Sequence, residues 1–258
     1  MIELFDSHAH LDHERFTEDK NEVLERAREN GVQYILNASG DPISCYDSVA
    51  LAETEDMIYA AVGIHPHEAK VFTEDTVELL RHLARKDKVV AIGEIGLDYY
   101  YDHSEREIQR DVFRKQIRIA REVGLPIIVH DRDAHEDTLI ILKEENAQDV
   151  GGVFHCFSGS VQMAREILKM GFYISMAGPV TFKNSKKAPE VVGVVPEDRL
   201  LIETDCPYLS PEPKRGKRNE PGHVKYVAEK IAEIRGETFE QVAGYTTQNA
   251  KRLFGIND

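Results

Sequence analysis

The chain predicts an α/β protein, a TIM-like (β/α)8 barrel forming a single domain over residues 1–258, and three observations carry that prediction. Eight short apolar runs recur from end to end, with segments of helical periodicity between them. Eight βα repeats in 258 residues is the scale of a TIM barrel, typically about 250. Residues able to carry chemistry gather where the runs end, the face on which such barrels build their sites.

In chain order, the first run is 2–5, and the helix expected at 19–30 ends in Arg28-Glu29-Asn30 before Gly31, a residue suited to a left-handed cap. Runs at 33–37 and 58–64 precede helices expected at 43–55 and 73–86. The runs at 89–93 (VVAIG) and 126–130 (containing PIIV) are apolar on both faces, as strands become when helices cover one side and a barrel core fills the other. Between them, at 105–123, Ile108, Val112, Phe113, Ile117 and Ala120 recur at helical steps along one face opposite a charged one, and Gly124 follows as a stop. A helix at 135–145 leads to the run 152–155, and one at 160–170, stopped by Gly171, leads to the run 172–175. A helix at 186–194 precedes the last run, 200–203, and helices at 222–235 and 238–254 close the chain. The rival architecture is a doubly wound open sheet, but no G-x-G-x-x-G follows an early strand, which removes its commonest cofactor signal.

Composition sets the setting. With 41% hydrophobic residues the chain can bury a sizeable core. It shows neither the pattern of a secretion signal nor a run long enough to span a membrane, so a cytoplasmic location with no membrane partner is expected. Three widely spaced cysteines, Cys45, Cys156 and Cys206, fit a reducing compartment better than a disulfide framework. The formal charge, 32 − 46 = −14, argues against a protein that coats nucleic acid with a basic face. If the substrate is a polyanion, the attraction must be local.

The strand ends supply it. Strand one runs into Asp6-Ser7-His8-Ala9-His10, and alternation sends His8 and His10 to the same side. Strand three ends in GIHPH, strand four in Gly93-Glu94, strand five in His130-Asp131-Arg132, strand six in His155-Cys156 and strand eight in Glu203-Thr204-Asp205. H-x-H alone is weak. The set His8, His10, Glu94, His130, His155 and Asp205 is a nitrogen and oxygen collection suited to zinc, manganese, magnesium or related divalent ions, and exceeds what one tetrahedral zinc with an open position needs. It is better matched to two divalent ions bridged by Glu94, with His8, His10 and Asp205 on one and His130 and His155 on the other. Two such ions less two carboxylates leave roughly plus two, enough to attract a phosphate to an acidic chain. Metal coordination lowers the pKa of bound water to about 7, and Asp205 is the candidate to accept the proton of the attacking water. Arg132 is either a fork for a substrate phosphate or half of a rim salt bridge.

The stretches DSHAHLD, GIHPH, GEIGLDYY, VHDR, FHCFSG, ETDCPYL and RGKRNEP, spanning residues 6 to about 221, together resemble the TatD family of metal-dependent deoxyribonucleases, a branch of the amidohydrolase superfamily. The resemblance implies a TIM-like barrel with a divalent metal site that hydrolyses DNA phosphodiesters, as a 3′ to 5′ exonuclease or at abasic sites. It carries metal roles onto His8, His10, Glu94, His130, His155 and Asp205. Many amidohydrolase relatives bridge their metals with a modified lysine after strand four, whereas IGEIG here puts Glu94 in that place.

Other residues have two readings. His65 and His67 either orient the scissile phosphate or shape the Pro66 turn. Glu203 is expected behind the ligands, as the partner of a ligating histidine. Cys156 and Cys206 follow proposed ligands directly and are expected to pack. Tyr99, Tyr100 and Tyr101 either stack on an unpaired base or form a lid. Lys214, Arg215, Lys217 and Arg218 form a basic loop after strand eight, with Lys214 and Arg215 the candidate backbone contacts. One basic loop on an acidic chain suits DNA ends or short single strands, without an obligate protein partner. The same metal chemistry serves a small ester, lactone or amide, or a misacylated tRNA. A scaffold that kept metals only for stability would need no more than four closed ligands.

Overall fold

A computed structural model describes residues 2–257. Eight parallel strands form one sheet in chain order: β1 (Leu4–Ala9), β2 (Val32–Ala38), β3 (Ile58–Val62), β4 (Val89–Asp98), β5 (Ile127–Arg132), β6 (Gly152–Phe154), β7 (Tyr173–Met176) and β8 (Leu200–Ile202). Between them run α1 (Lys20–Glu29), α2 (Pro42–Thr54), α3 (Glu74–Leu83), α4 (Arg106–Val123), α5 (His135–Glu144), α6 (Val161–Lys169) and α7 (Lys187–Val192), followed by α8 (Val224–Arg235) and α9 (Phe239–Phe254). This is the (β/α)8 TIM-like fold that the sequence predicts.

β1 and β4 run furthest beyond their apolar cores. β1 continues to Ala9 and β4 to Asp98, where the sequence predicts ends at 5 and 93. The added residues include Asp6, Ser7, His8, Glu94 and Asp98, all buried. Polar residues read as loop in a sequence, but here partners within the fold satisfy them, which is the condition for burying them.

The chain groups into two compact units. The first holds the stretch through Asn37, His155–Leu168 and the stretch from Tyr173 onward. In it Leu4 pairs with Val32 and Ala9 with Asn37, Ile174 pairs with Leu200, and an isolated bridge joins Ala9 to Cys206, so the last strand returns to the first. Helix α9 covers β1 with buried Val242, Ala243, Ala250 and Phe254. Its Thr247 hydroxyl donates to the Glu3 carbonyl at 2.9 Å, and the Asn249 amide donates to the carbonyls of Glu197 and Leu200 at 2.6 and 3.0 Å.

The second unit holds Ala38–Phe154 and Lys169–Phe172. Its strands β3 to β6 pair in sequence, with Gly96 opposite His130. At Gly96 φ is +145°, and a Cβ there would lie 2.0 Å from the His130 carbonyl oxygen, so only glycine lets β4 approach β5 at this point. Helix α4 buries Val112, Phe113, Ile117 and Ala120, leaves Ile108 at 36% exposure, and ends at Gly124 with φ of 72°. Two buried glutamines on it hold strand ends. Gln109 accepts the Asp98 N–H at 2.9 Å and donates to the carbonyls of Asp98 and Ser104, while Gln116 accepts the Ile64 N–H at 2.7 Å and donates to its carbonyl at 2.9 Å. No helix among the described residues is long and apolar enough to cross a membrane.

Candidate metal centre

In the first unit, the ends of β1 and β8 bring donors together. The buried Asp6 carboxylate accepts the Thr204 N–H at 2.8 Å and its hydroxyl at 2.6 Å, fixing the residues before Asp205. Burial pushes the Asp6 carboxyl up to about 8, against the lowering effect of those bonds. The Asp205 N–H donates to the His8 carbonyl and the His10 N–H to the Cys206 carbonyl, each at 2.9 Å. Asp205 itself sits at φ of 57°, a left-handed conformation in a non-glycine residue, which turns its side chain toward the histidines.

The resulting group is tight. His8 and His10 Nε2 atoms lie 3.2 Å apart, and Asp205 Oδ1 is 3.8 Å from the first and 3.3 Å from the second. The His155 ring stacks on the His8 ring with centroids 4.1 Å apart, and His8, His155 and Asp205 present donor atoms within 4.8 Å of one another. Burial alone would raise the Asp205 carboxyl; the hydrogen bond from His10 and the neighbouring imidazoles hold it below the ordinary value. Three imidazole nitrogens and a carboxylate fit a zinc-like or manganese-like ion. The 3.2 Å separation is what two nitrogens each about 2.0–2.1 Å from one ion span. Glu203, fully buried, accepts from His155 Nδ1 at 3.2 Å and from the Cys156 N–H at 2.7 Å.

In the second unit, Glu94, His65 and His130 form another group. Glu94 Oε1 lies 2.6 Å from His130 Nδ1 and 3.5 Å from His65 Nε2. Burial pushes His65 down to about 4, with His130 adding to the drop, so its imidazole is neutral at pH 7. His65 also caps the turn after it, Nδ1 accepting the His67 N–H at 3.1 Å. Sequence reasoning placed His155 with His130; the structure gathers His155 with His8 and Asp205, and sets His65 beside Glu94 and His130.

Asp98 is the residue that sequence reasoning missed. It is 1% exposed, its Oδ2 lies 3.2 Å from His130 Nε2 and 2.8 Å from His67 Nε2, and its Oδ1 accepts the N–H groups of Tyr100 and Tyr101. Burial opposes its ionisation, but hydrogen bonds from His130, His67 and Tyr101 hold its carboxyl far below the ordinary range. Its signal was present: Glu94 and Asp98 fall in phase along one strand. His67 therefore reaches the group through Asp98.

The outlying candidates divide. The Arg132 guanidinium lies 4.2 and 4.7 Å from the ring centroids of exposed Tyr100 and Tyr101, and forms no ion pair among the described residues. Tyr99 turns away to donate its hydroxyl to Asp137 at 2.5 Å. In the basic loop, Arg218 is engaged by Asp19 at 2.8 and 2.6 Å, so it holds α1 and is not a free contact. Arg215 lies over the Phe182 ring at 3.8 Å and is exposed, and Lys214 is half-buried. Cys206 is buried, as expected, and Cys156 is partly exposed.

Eight parallel strands with histidine and carboxylate donors in and just after their C-terminal ends define a barrel hydrolase of the metal-dependent class. The comparisons narrow this. Residues 5–255 match the family described as TatD related DNase, and the chain belongs to that family of metal-dependent hydrolases. It is 56% identical over 254 residues to the metal-dependent hydrolase YabD of Bacillus subtilis, covering 98% of this chain and 100% of that protein. It is 37% identical over 259 residues to the 3′-5′ ssDNA/RNA exonuclease TatD of Citrobacter rodentium, covering 98% of each. Among solved structures, the TatD homologue YJJV of Escherichia coli superposes with a TM-score of 0.93 at 32% identity over 98% of both chains.

Proposed function

We propose that this hydrolase cleaves DNA phosphodiesters, removing nucleotides from 3′ ends of single strands or acting at abasic sites, in the cytoplasm. The observation that carries the reading is the convergence of His8, His10, His155 and Asp205, three imidazoles and a carboxylate on one small group of donors. The name of the Citrobacter relative supports the choice of nucleic acid. In this reading His8, His10, His155, Asp205, Glu94 and His130 would hold two divalent ions, zinc, magnesium or manganese. When bound, such ions lower the pKa of water to about 7 and stabilise charge developing on phosphate oxygens.

The side chains do the rest. Asp205 accepts the proton of the attacking water at a carboxylate oxygen, a role suited to a group held ionised. Glu203 keeps His155 oriented, leaving Nε2 as the nitrogen that would hold a metal. Neutral His65 places its ring where a phosphate oxygen is held, and Arg132, Lys214 and Arg215 take the flanking backbone.

The test uses protein of measured metal content with single-stranded DNA, single-stranded RNA, abasic duplex, aminoacyl-tRNA and a small ester. Release of nucleotides from DNA, lost on chelation and reduced by roughly 10²–10⁴ in both Glu94→Ala and Asp205→Ala, is the expected result. DNA cleavage that survives Glu94→Ala, or efficient ester hydrolysis without cleavage of DNA, overturns the proposal.

A further inference from the structure

Beside the first donor group, wholly within the first unit, lies a cavity of about 350 Å³ between the loop after β6 and the segment that follows β7. Its volume falls in the lower part of the range for small-molecule pockets, roughly 300–1,000 Å³. The geometry points to a nucleobase subsite: this cavity receives one unpaired base of the nucleotide pair flanking the scissile phosphate. The inference rests on the phosphodiesterase reading and adds a recognition element to it.

Position is the first argument. Cys156, the first residue of the cavity wall, directly follows His155, and one carboxylate, Glu203, fixes both: it accepts the Cys156 N–H and meets His155 Nδ1. A left-handed turn at Cys156, φ of 41°, sends the chain from the donor into the wall, and the Phe157 N–H then donates to the Ser175 carbonyl at 3.0 Å. A base in this cavity is thus tied to the reacting end of the molecule.

Lining is the second. Phe157, Met176 and Val180 make an apolar interior, each less than one-tenth exposed, and offer the ring face and thioether that flat heteroaromatic rings favour. At the mouth stand Asn184, Lys186 and Lys187, all exposed. Neither lysine forms an ion pair among the described residues, in a chain whose formal charge is −14. An apolar slot, an amide able to meet a base edge and unpaired cations at the rim complement a nucleobase joined to phosphodiesters. A hydrocarbon chain would leave the amide and the cations without a counterpart.

Rigidity is the third. A Cβ at Gly178 would sit 1.9 Å from the Leu209 carbonyl oxygen, so this segment packs against the loop after β8 as closely as backbone allows. Thr181 accepts the Glu212 N–H at 2.9 Å, and Arg215 lies over Phe182. The cavity wall and the loop carrying Lys214 and Arg215 are one pre-organised surface.

The experiment compares metal-loaded wild type with Ala188→Phe, which fills the cavity from its lining, on three substrates. These are a single-stranded oligonucleotide, the same strand abasic at the terminal or penultimate position, and methyl p-nitrophenyl phosphate, which has no base. Wild type is expected to lose at least tenfold in kcat/KM when one of the two bases is removed. Ala188→Phe is expected to cleave normal and abasic strands alike, at the wild-type abasic rate, with the small diester unchanged. As a reading besides activity, 2-aminopurine at the sensitive position should change its emission on binding wild type and not on binding Ala188→Phe. If that variant does not fold, Lys186→Ala/Lys187→Ala should lower kcat/KM for the oligonucleotide and leave the small diester untouched. Equal rates on normal and abasic strands in wild type overturn the subsite while leaving the hydrolase reading intact. No cleavage of any phosphodiester by the metal-loaded wild type overturns both.

Discussion

At the scale of single residues, the donors legible in the sequence are those whose role follows from local spacing. His8 and His10 share a side because residues two apart on a strand do, and Glu203 stands behind His155 as its place in the chain suggests. Glu203→Ala leaves the His155 ring without its acceptor. Metal affinity, measured by competition with a chromogenic chelator, should fall about 10- to 100-fold with circular dichroism unchanged; unaltered affinity would show that Glu203 only packs. Asp6 was not legible as a structural anchor, because its partner Thr204 is distant in sequence and adjacent only in the fold. His223 is a further case. It is 8% exposed, its Nδ1 meets Asn219 Oδ1 at 3.0 Å, and burial, reinforced by nearby Lys214, Lys225 and Arg26, pushes it from 6.5 down to about 4. Between those values the unfolded chain binds a proton that the folded one refuses, so the contribution of His223 to stability is present above pH 6.5 and is lost as pH falls toward 4. The Tm of wild type should drop more steeply across that window than that of His223→Gln, and parallel curves would refute the assignment.

At the scale of elements, the sequence pattern located each strand and α-helix of the described residues, because apolar spacing is what drives them onto the sheet. It lost the ends of β1 and β4 because a buried polar residue looks like a loop residue until its partner is known. Helix α4 shows both sides of this. Its apolar stripe was legible, apart from half-exposed Ile108, whereas Gln109 and Gln116, polar and outside that stripe, are buried clamps on the backbone of Asp98 and Ile64. Gln116→Ala strands both polar groups of Ile64 at a cost of about 3 kcal/mol, given roughly 1–3 kcal/mol for each buried group left unpaired. Urea unfolding should show this as a lower midpoint with the same slope. A change under ~0.5 kcal/mol would mean that solvent replaces the clamp. Because Ile64 precedes His65, the same variant should also raise KM.

At the scale of the whole molecule, the charge of −14 conceals a division among the cations. Arg26, Arg81, Arg106, Arg110, Arg114, Arg118 and Arg218 are engaged by carboxylates, whereas Arg132, Lys186, Lys187 and Lys214 form no ion pair among the described residues. About four cations available to a single strand, at roughly 0.7 per phosphate, predict a slope of log affinity against log salt between about −1 and −3. Fluorescence anisotropy across a salt series checks this, and a slope steeper than about −4 would require more cations than these four. The backbone bonds from Asp205 to His8 and from His10 to Cys206 have a consequence in time. The ribosome makes His65, Glu94, His130 and His155 before the backbone partners of His8 and His10, which are Asp205 and Cys206. A nascent chain that stalls before Asp205 lacks that carboxylate and cannot close the first strand on the last. The donor group of the first unit is therefore completed only once Asp205 has been added, after every other donor is already in the chain.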